Sequence, residues 1–214
     1  MKKHLKRQAV PKNWPIARKG TTFVVKNNSK GIPVLVVLRD IMKIVRTRKE
    51  VKQAIHKKDL VISGKPVNDE KKSLELFDIL TIIPSKKNFR LVLSEKGKYD
   101  VEEVAEKDAK EKVAKVIGKK ILKGKKIQVN LSDGRNYLSD VKCAVGDSVI
   151  VDLEKKKVSK VLPVKENSTA LVIGGKHAGT KGKISKIDEK QNMVEIGADE
   201  KKFRALIKQI MVLN

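Results

Sequence analysis

"PVLVVLRDIMKIVRTRKEVKQAIHKKDLVISGKPVND", residues 33–69, changes hydrophobic period within one short run, and the order of the changes points to a fold class. Val34, Val37, Leu38, Ile41, Ile44 and Val45 recur at helical spacing while Arg39, Lys43 and Arg46 lie off that stripe. Pro33 suits a helix's first turn, so a helix is expected from there to Val45, although the β-branched residues leave a strand open for the first positions. Thr47 can cap a second helix, because Glu50 follows three residues later as in a capping box and Val51, Ala54 and Ile55 supply a buried side. After this the period falls to two. "LVISGKPVND" reads as strand, glycine turn and strand, and "FDILTII" at 77–83 adds another strand. Helix, basic turn, helix and hairpin therefore succeed one another.

On the N-terminal side, residues 1–32 form a basic arm. The stretch 1–31 holds no acidic residue, carries Lys2, Lys3, Lys6 and Arg7 near its start, and has Pro11 and Pro15 to bar one continuous helix. Self-repulsion predicts that residues 1 to about 20 are disordered in the free chain and ordered once phosphate neutralises them, with Trp14, Ile16 and Phe23 as the residues of the arm that pack on binding. On the C-terminal side, "EKDAKEKVAKVI" at 106–117 reads as a helical stretch of mixed charge. It leads into "KIQVNLSDGRNYL", whose Asp133-Gly134 pair between alternating segments signals a hairpin, and "DSVIVDLEKKKVSKVLPV", a second hairpin turning at 154–157. The expected architecture is α+β in several modules: the arm, a helix–hairpin domain at 33–100, a mostly-β domain at 101–166 and a last module at 167–214.

That last module contains "GGKHAGTKGK", residues 174–183, with the composition of a loop that cradles phosphate. Gly174 and Gly179 have the separation of a nucleotide-binding P-loop, but Thr180 stands where the lysine belongs, and the run after it alternates like strand and hairpin, not helix. A nucleic-acid backbone is the remaining candidate. Composition agrees with it: 50 Lys+Arg against 25 Asp+Glu give a formal net charge of +25, which calls for a polyanionic partner. No apolar run is long enough to span a membrane and the lysine-rich start has no signal-peptide core, so a soluble, cytosolic protein is expected. The single cysteine, Cys143, alternates like a buried strand residue, and His4, His56 and His177 have no metal-ligand spacing, so neither a metal nor a cofactor is expected. With only 3% of the residues aromatic, recognition through shape and phosphate fits better than stacking on single strands.

Three resemblances sharpen this. "TRKEVKQAI", "LVISGKPV" and "FDILTI" resemble, in order, the alpha-L RNA-binding module, with Ser63 in place of its usual asparagine and Phe77 in place of the glycine before Asp78. The resemblance implies RNA on the face bearing Arg39, Lys43, Arg46, Arg48, Lys49 and Lys52, with Lys65 in the hairpin. "STALVIGGKHAGTKGKISKID" resembles a KOW motif, part of a small SH3-like barrel, which implies RNA or ribosomal partners for Lys176, His177, Lys181 and Lys183. Pseudouridine synthases attached to alpha-L domains carry G-R-L-D; "GRNYLSD" has Asn136 and Tyr137 at its last two positions, and a hairpin explains it better. Taken together, "KKHLKRQAVPKNWPI", the alpha-L unit, "KNFRLVL", "EKDAKEKVAKV" and "GGKHAGTKG" succeed one another as in the e-type family of small-subunit ribosomal protein four, across essentially the whole chain, and the short length resembles its archaeal members. The family implies a structural, non-enzymatic component of the small ribosomal subunit in the cytoplasm, bound to 16S-type rRNA and to neighbouring ribosomal proteins. The rivals are a KOW-bearing transcription or translation factor and an RNA-modifying enzyme.

Overall fold

The structure, a computed structural model, describes residues 4–122, 126–138, 141–188, 191–198 and 201–213. It is mostly β, with few and short helices, and divides into two compact units, residues 1–92 with 98–109 and residues 93–97 with 110–214.

In the first unit β1 (Leu5–Lys6) and β2 (Phe23–Val24) pair antiparallel and close the arm into a loop. β3 (Ile32–Pro33) leads into α1 (Val34–Val36), which widens into a π turn over Val37–Ile41 and ends at Met42, whose N–H donates to Val37 O at 2.9 Å. The helix is thus shorter than its apolar stripe predicts. Lys43 takes a left-handed φ of 55° and Ile44 is 55% exposed, so the helix stops before Ile44, although Val45 still packs against the core. The physical cause is that Ile32 to Leu38 are buried on every side, including β-branched residues that favour helix poorly; the segment is a core plug and not an amphipathic helix. α2 (Arg48–His56) has the cap expected of it: Thr47 Oγ1 accepts from Glu50 N–H at 3.3 Å and the Glu50 carboxylate accepts from Arg46 N–H at 2.9 Å. These bonds hold the Glu50 carboxyl below its ordinary pKa, the Arg46 N–H foremost.

The remaining strands are β4 (Leu60–Ile62), β5 (Lys65–Pro66), β6 (Ser73–Leu74), β7 (Ile79–Ile82), β8 (Lys87–Leu93) and β9 (Tyr99–Val104). β6 pairs with β3, and the others form one sheet in the order β5-β4-β7-β8-β9. Ser63 and Phe77 both lie at positive φ, 44° and 63°, backbone that asparagine and glycine adopt more cheaply. Burial and bonding hold them there: the Ser63 hydroxyl meets Asp78 Oδ1 at 2.7 Å, Asp78 Oδ2 accepts from Glu75 N–H at 2.7 Å, and Phe77 N–H donates to Leu91 O at 2.8 Å. Trp14 is 4% exposed and joins the core with Ile32, Leu35 and Val51, so the arm packs on its own unit where the sequence predicts disorder in the free chain. A bulky indole near the start is apolar surface enough to offset part of the charge repulsion.

The second unit corrects a prediction at once. Residues 106–117 are not a helix: a short turn at Asp108–Lys110 runs into β10 (Glu111–Ile121). Tertiary partners override the helical charge pattern, since Lys112 is 2% exposed and ion-paired to Asp133 at 2.7 Å, while Ala114, Lys115 and Val116 are buried as well. β11 (Ile127–Leu131) and β12 (Asn136–Leu138) form the hairpin around Asp133-Gly134, and β13 (Ser148–Asp152) and β14 (Lys157–Leu162) form the next, in the sheet order β12-β11-β10-β13-β14. Cys143 is buried as expected but lies in the loop between the hairpins and not in a strand. β15 (Thr169–Val172), β16 (Lys181–Asp188), β17 (Met193–Ala198), β18 (Lys201–Leu206) and β19 (Ile210–Val212) form a second antiparallel sheet, β18-β17-β16-β15-β19.

The two sheets of this unit are clipped together by a buried lysine. Lys115 Nζ donates to the carbonyls of Ile207 and Ile210, and Ser148 Oγ accepts from Val212 N–H at 2.8 Å. Burial pushes the Lys115 ammonium down to about 8, partly opposed by Asp147. The unfolded chain binds more protons than the folded one between that value and the ordinary lysine pKa, so stability should rise with pH across that window, by about 1–3 kcal/mol relative to a Lys115→Met variant. Below pH 8 the cost of burying the charge is fully present. Chemical denaturation of both proteins from pH 7 to 10.5 checks this; parallel curves would place the lysine in water.

Candidate nucleic-acid interface

The turn between α1 and α2 and the first turns of α2 gather the predicted cations. Lys43, Arg46, Lys49 and Lys52 are all exposed, and Lys65 is exposed at the start of β5. The left-handed turn at Lys43 and the Thr47 cap break the two helices apart, so the side chains fan out instead of stacking along one helix face. Like charges in this density repel each other in water and gain by meeting phosphate.

Two of the predicted arginines are occupied. Arg39 pairs with its neighbour Asp40 at 2.9 Å, half-buried. Arg48 Nε donates to both carboxylate oxygens of Glu70 at 2.8 Å, and a terminal nitrogen of Arg48 pairs with the same carboxylate. The hydrogen bond to Glu70 is the main reason that the Arg48 pKa is raised, against the opposing effect of its burial. Glu70 is only 4% exposed, so Arg48 neutralises a buried carboxylate from the surface. Replacing Arg48 by Gln should therefore cost about 1–3 kcal/mol of stability, and adding Glu70→Gln should restore part of it, because an unpaired buried charge costs more than a neutral pair. Urea denaturation of the single and double variants tests this; additive losses would deny the coupling.

In the arm, Arg7 is also engaged internally: its guanidinium donates to Thr21 O at 2.7 Å, Ala17 O at 2.8 Å and Thr21 Oγ1 at 3.0 Å. Lys6 is exposed on β1, and Lys2 and Lys3 lie outside the described residues.

The glycine-rich loop joins β15 to β16. Val172 N–H bonds Thr180 O at 3.0 Å and Gly179 N–H bonds Val172 O at 2.8 Å, while Ile173 N–H bonds Gln209 O at 2.7 Å. Because a strand and not a helix follows, no helix N-terminus meets a nucleotide there, as a P-loop would require. Lys176, Lys181 and Lys183 are exposed. His177 is not isolated, as sequence suggests, but stacks on Phe203 with centroids 4.4 Å apart and planes 19° apart. Phe203 lies twenty-six residues downstream of it, and the tertiary structure brings the two rings together. Among the described residues no three His, Cys, Asp or Glu side chains come together to hold a metal, and no helix is long and apolar enough to cross a membrane.

Residues 85–158 match the model of the ribosomal family S4e, residues 1–29 the RS4NT domain and residues 166–196 the KOW motif. The small ribosomal subunit protein eS4 of Methanospirillum hungatei is 35% identical, with 85% of this chain and 78% of that protein covered. That of Methanosphaera stadtmanae is 32% identical, with 100% of this chain and 92% of that protein covered. In fold, the crystal structure of the 30S ribosomal protein S4e from Thermoplasma acidophilum superposes with a TM-score of 0.74 at 24% identity, over 87% of this chain and 96% of the other. Full-length identity above 30% to archaeal relatives of one kind, with three domain matches in the right order, means that the chain belongs to the eS4 family of small ribosomal subunit proteins.

Proposed function

We propose that the chain is a structural constituent of the small ribosomal subunit in the cytoplasm and holds small-subunit rRNA through two basic surfaces: the α1–α2 turn with Lys43, Arg46, Lys49 and Lys52, and the glycine-rich loop with Lys176, Lys181 and Lys183. The observation that carries this is a fan of exposed cations on a turn whose geometry is set by a cap and a left-handed residue, in a chain with an excess of 25 positive charges. In this reading residues 33–100 form an alpha-L unit, 101–166 a central β domain and 167–214 an SH3-like KOW barrel, with 1–32 as a basic N-terminal arm. Lys6, Arg7, Arg39, Arg48, Lys65 and His177 are further candidates for RNA contact, with Arg7, Arg39 and Arg48 also engaged within the protein. Neighbouring ribosomal proteins are the expected protein partners. The family is one of ribosomal structural proteins and not of enzymes. In a sucrose gradient at moderate salt the protein should travel with the small subunit. Recovery mainly in free fractions, or with RNA polymerase, would favour a KOW-type factor instead.

A further inference from the structure

We propose that the His177–Phe203 pair is a stacking platform for one unpaired RNA base, so that the glycine-rich loop grips both a base and the phosphates beside it. This rests on the reading of that loop as an rRNA contact and adds the chemical class of its ligand. Phe203 stands on β18, the edge strand of its sheet, in register with fully buried Ile196, and is half-buried against the core of that sheet. His177 stacks on this ring nearly parallel and is itself exposed, which leaves the imidazole face turned away from Phe203 open to solvent. An imidazole alone on a loop is a poor platform because ordering it costs entropy; backed by a phenyl ring anchored in a core, it is preorganised. Backbone bonds from Thr180 N–H to His177 O at 3.2 Å and from Gly179 N–H to Val172 O at 2.8 Å fix the loop from which it projects.

Exposed Lys176 adjoins it in sequence, Lys181 and Lys183 open β16, and Lys202 precedes Phe203 on β18. Cations around a flat π face are the arrangement by which single-stranded nucleic acid is held: phosphates meet the charges and a base meets the ring. Most other aromatics of the chain are spent on packing, since Trp14, Phe77 and Tyr137 are buried and Phe89 and Tyr99 pack against the core of the first unit. Sequence composition argues against stacking as a general mode, but one supported ring needs no abundance.

The test uses the full chain and a short oligouridylate carrying one 5-iodouracil, which cross-links to stacked aromatic side chains on irradiation. The expected adduct is on His177 or Phe203. His177→Lys removes the ring and supplies an ammonium that can still meet phosphate, and should weaken binding by about 5- to 100-fold, whereas His177→Tyr keeps a ring and should stay within about twofold of the wild type. Circular dichroism establishes that both variants are folded, and a His177→Lys chain that failed this would be replaced by Phe203→Leu, expected to lose the adduct. Lys176→Gln with Lys181→Gln should lower the salt dependence and leave the adduct in place. If the lysine variants act as stated while His177→Lys binds like wild type, or the adduct maps elsewhere, the platform is overturned and the phosphate contact survives. If the lysine variants change nothing, the loop is no RNA contact and both fall.

Discussion

Gly179→Ala should destabilise the second unit by about 3 kcal/mol or more, visible as a loss of about 10 °C or more in melting temperature. Gly179 has a φ of +94°, and a Cβ there would lie 2.0 Å from the carbonyl oxygen of Ser94. Neither partner can give, because the contact is to backbone and Gly179 N–H is itself bonded to Val172 O. Gly134→Ala is the matched control. Its φ is +74° and nothing lies within 4 Å of the added methyl, so it carries the left-handed penalty alone, about 1 kcal/mol. Thermal unfolding of the two variants separates backbone conformation from collision, and equal losses would show that the close approach to Ser94 contributes nothing.

The second large effect is on RNA. Replacing Lys43, Arg46, Lys49 and Lys52 by Gln should flatten the log–log salt dependence of rRNA-fragment binding by about 0.7–0.9 for each side chain that contacts phosphate, because each contact releases condensed counterions. With all four in contact, affinity near 0.1 M salt should fall about a thousandfold. The fold should persist, since all four are exposed and glutamine keeps helix propensity. An unchanged slope would remove this face from the binding site. Arg48 is left out of the set because its loss would unbalance Glu70 and confuse stability with affinity. The lysines of β10 are unsuitable as neutral controls for the same kind of reason: Lys112 and Lys115 are buried and structural. Exposed Lys119 and Lys120, further along the same strand, are better.

Much of the local structure was legible in the chain. The capping box at Thr47 and Glu50, the Asp133-Gly134 hairpin, the hairpin turning after Asp152 and the strand after the glycine-rich loop all depend on neighbours within a few residues, where turn chemistry and alternation decide the outcome. The excess of positive charge and its clustering around residues 43–52 were equally a property of the sequence, and with them the kind of partner. What depended on distant residues was not legible. A strand at 111–121 replaces the expected helix because Asp133 and the carbonyls of Ile207 and Ile210 supply partners for buried Lys112 and Lys115, and no window of a dozen residues contains them. Trp14 finds a core made by Ile32, Leu35 and Val51, which turns a repelling arm into a packed one. Which cations are engaged within the protein was likewise decided in three dimensions, where Arg48 goes to Glu70 and Arg7 to the carbonyls of its own arm. Local pattern sets what a segment can be, and burial, which couples residues far apart in the chain, selects among those possibilities because an unpaired charge or an uncovered ring costs more than local propensity can return.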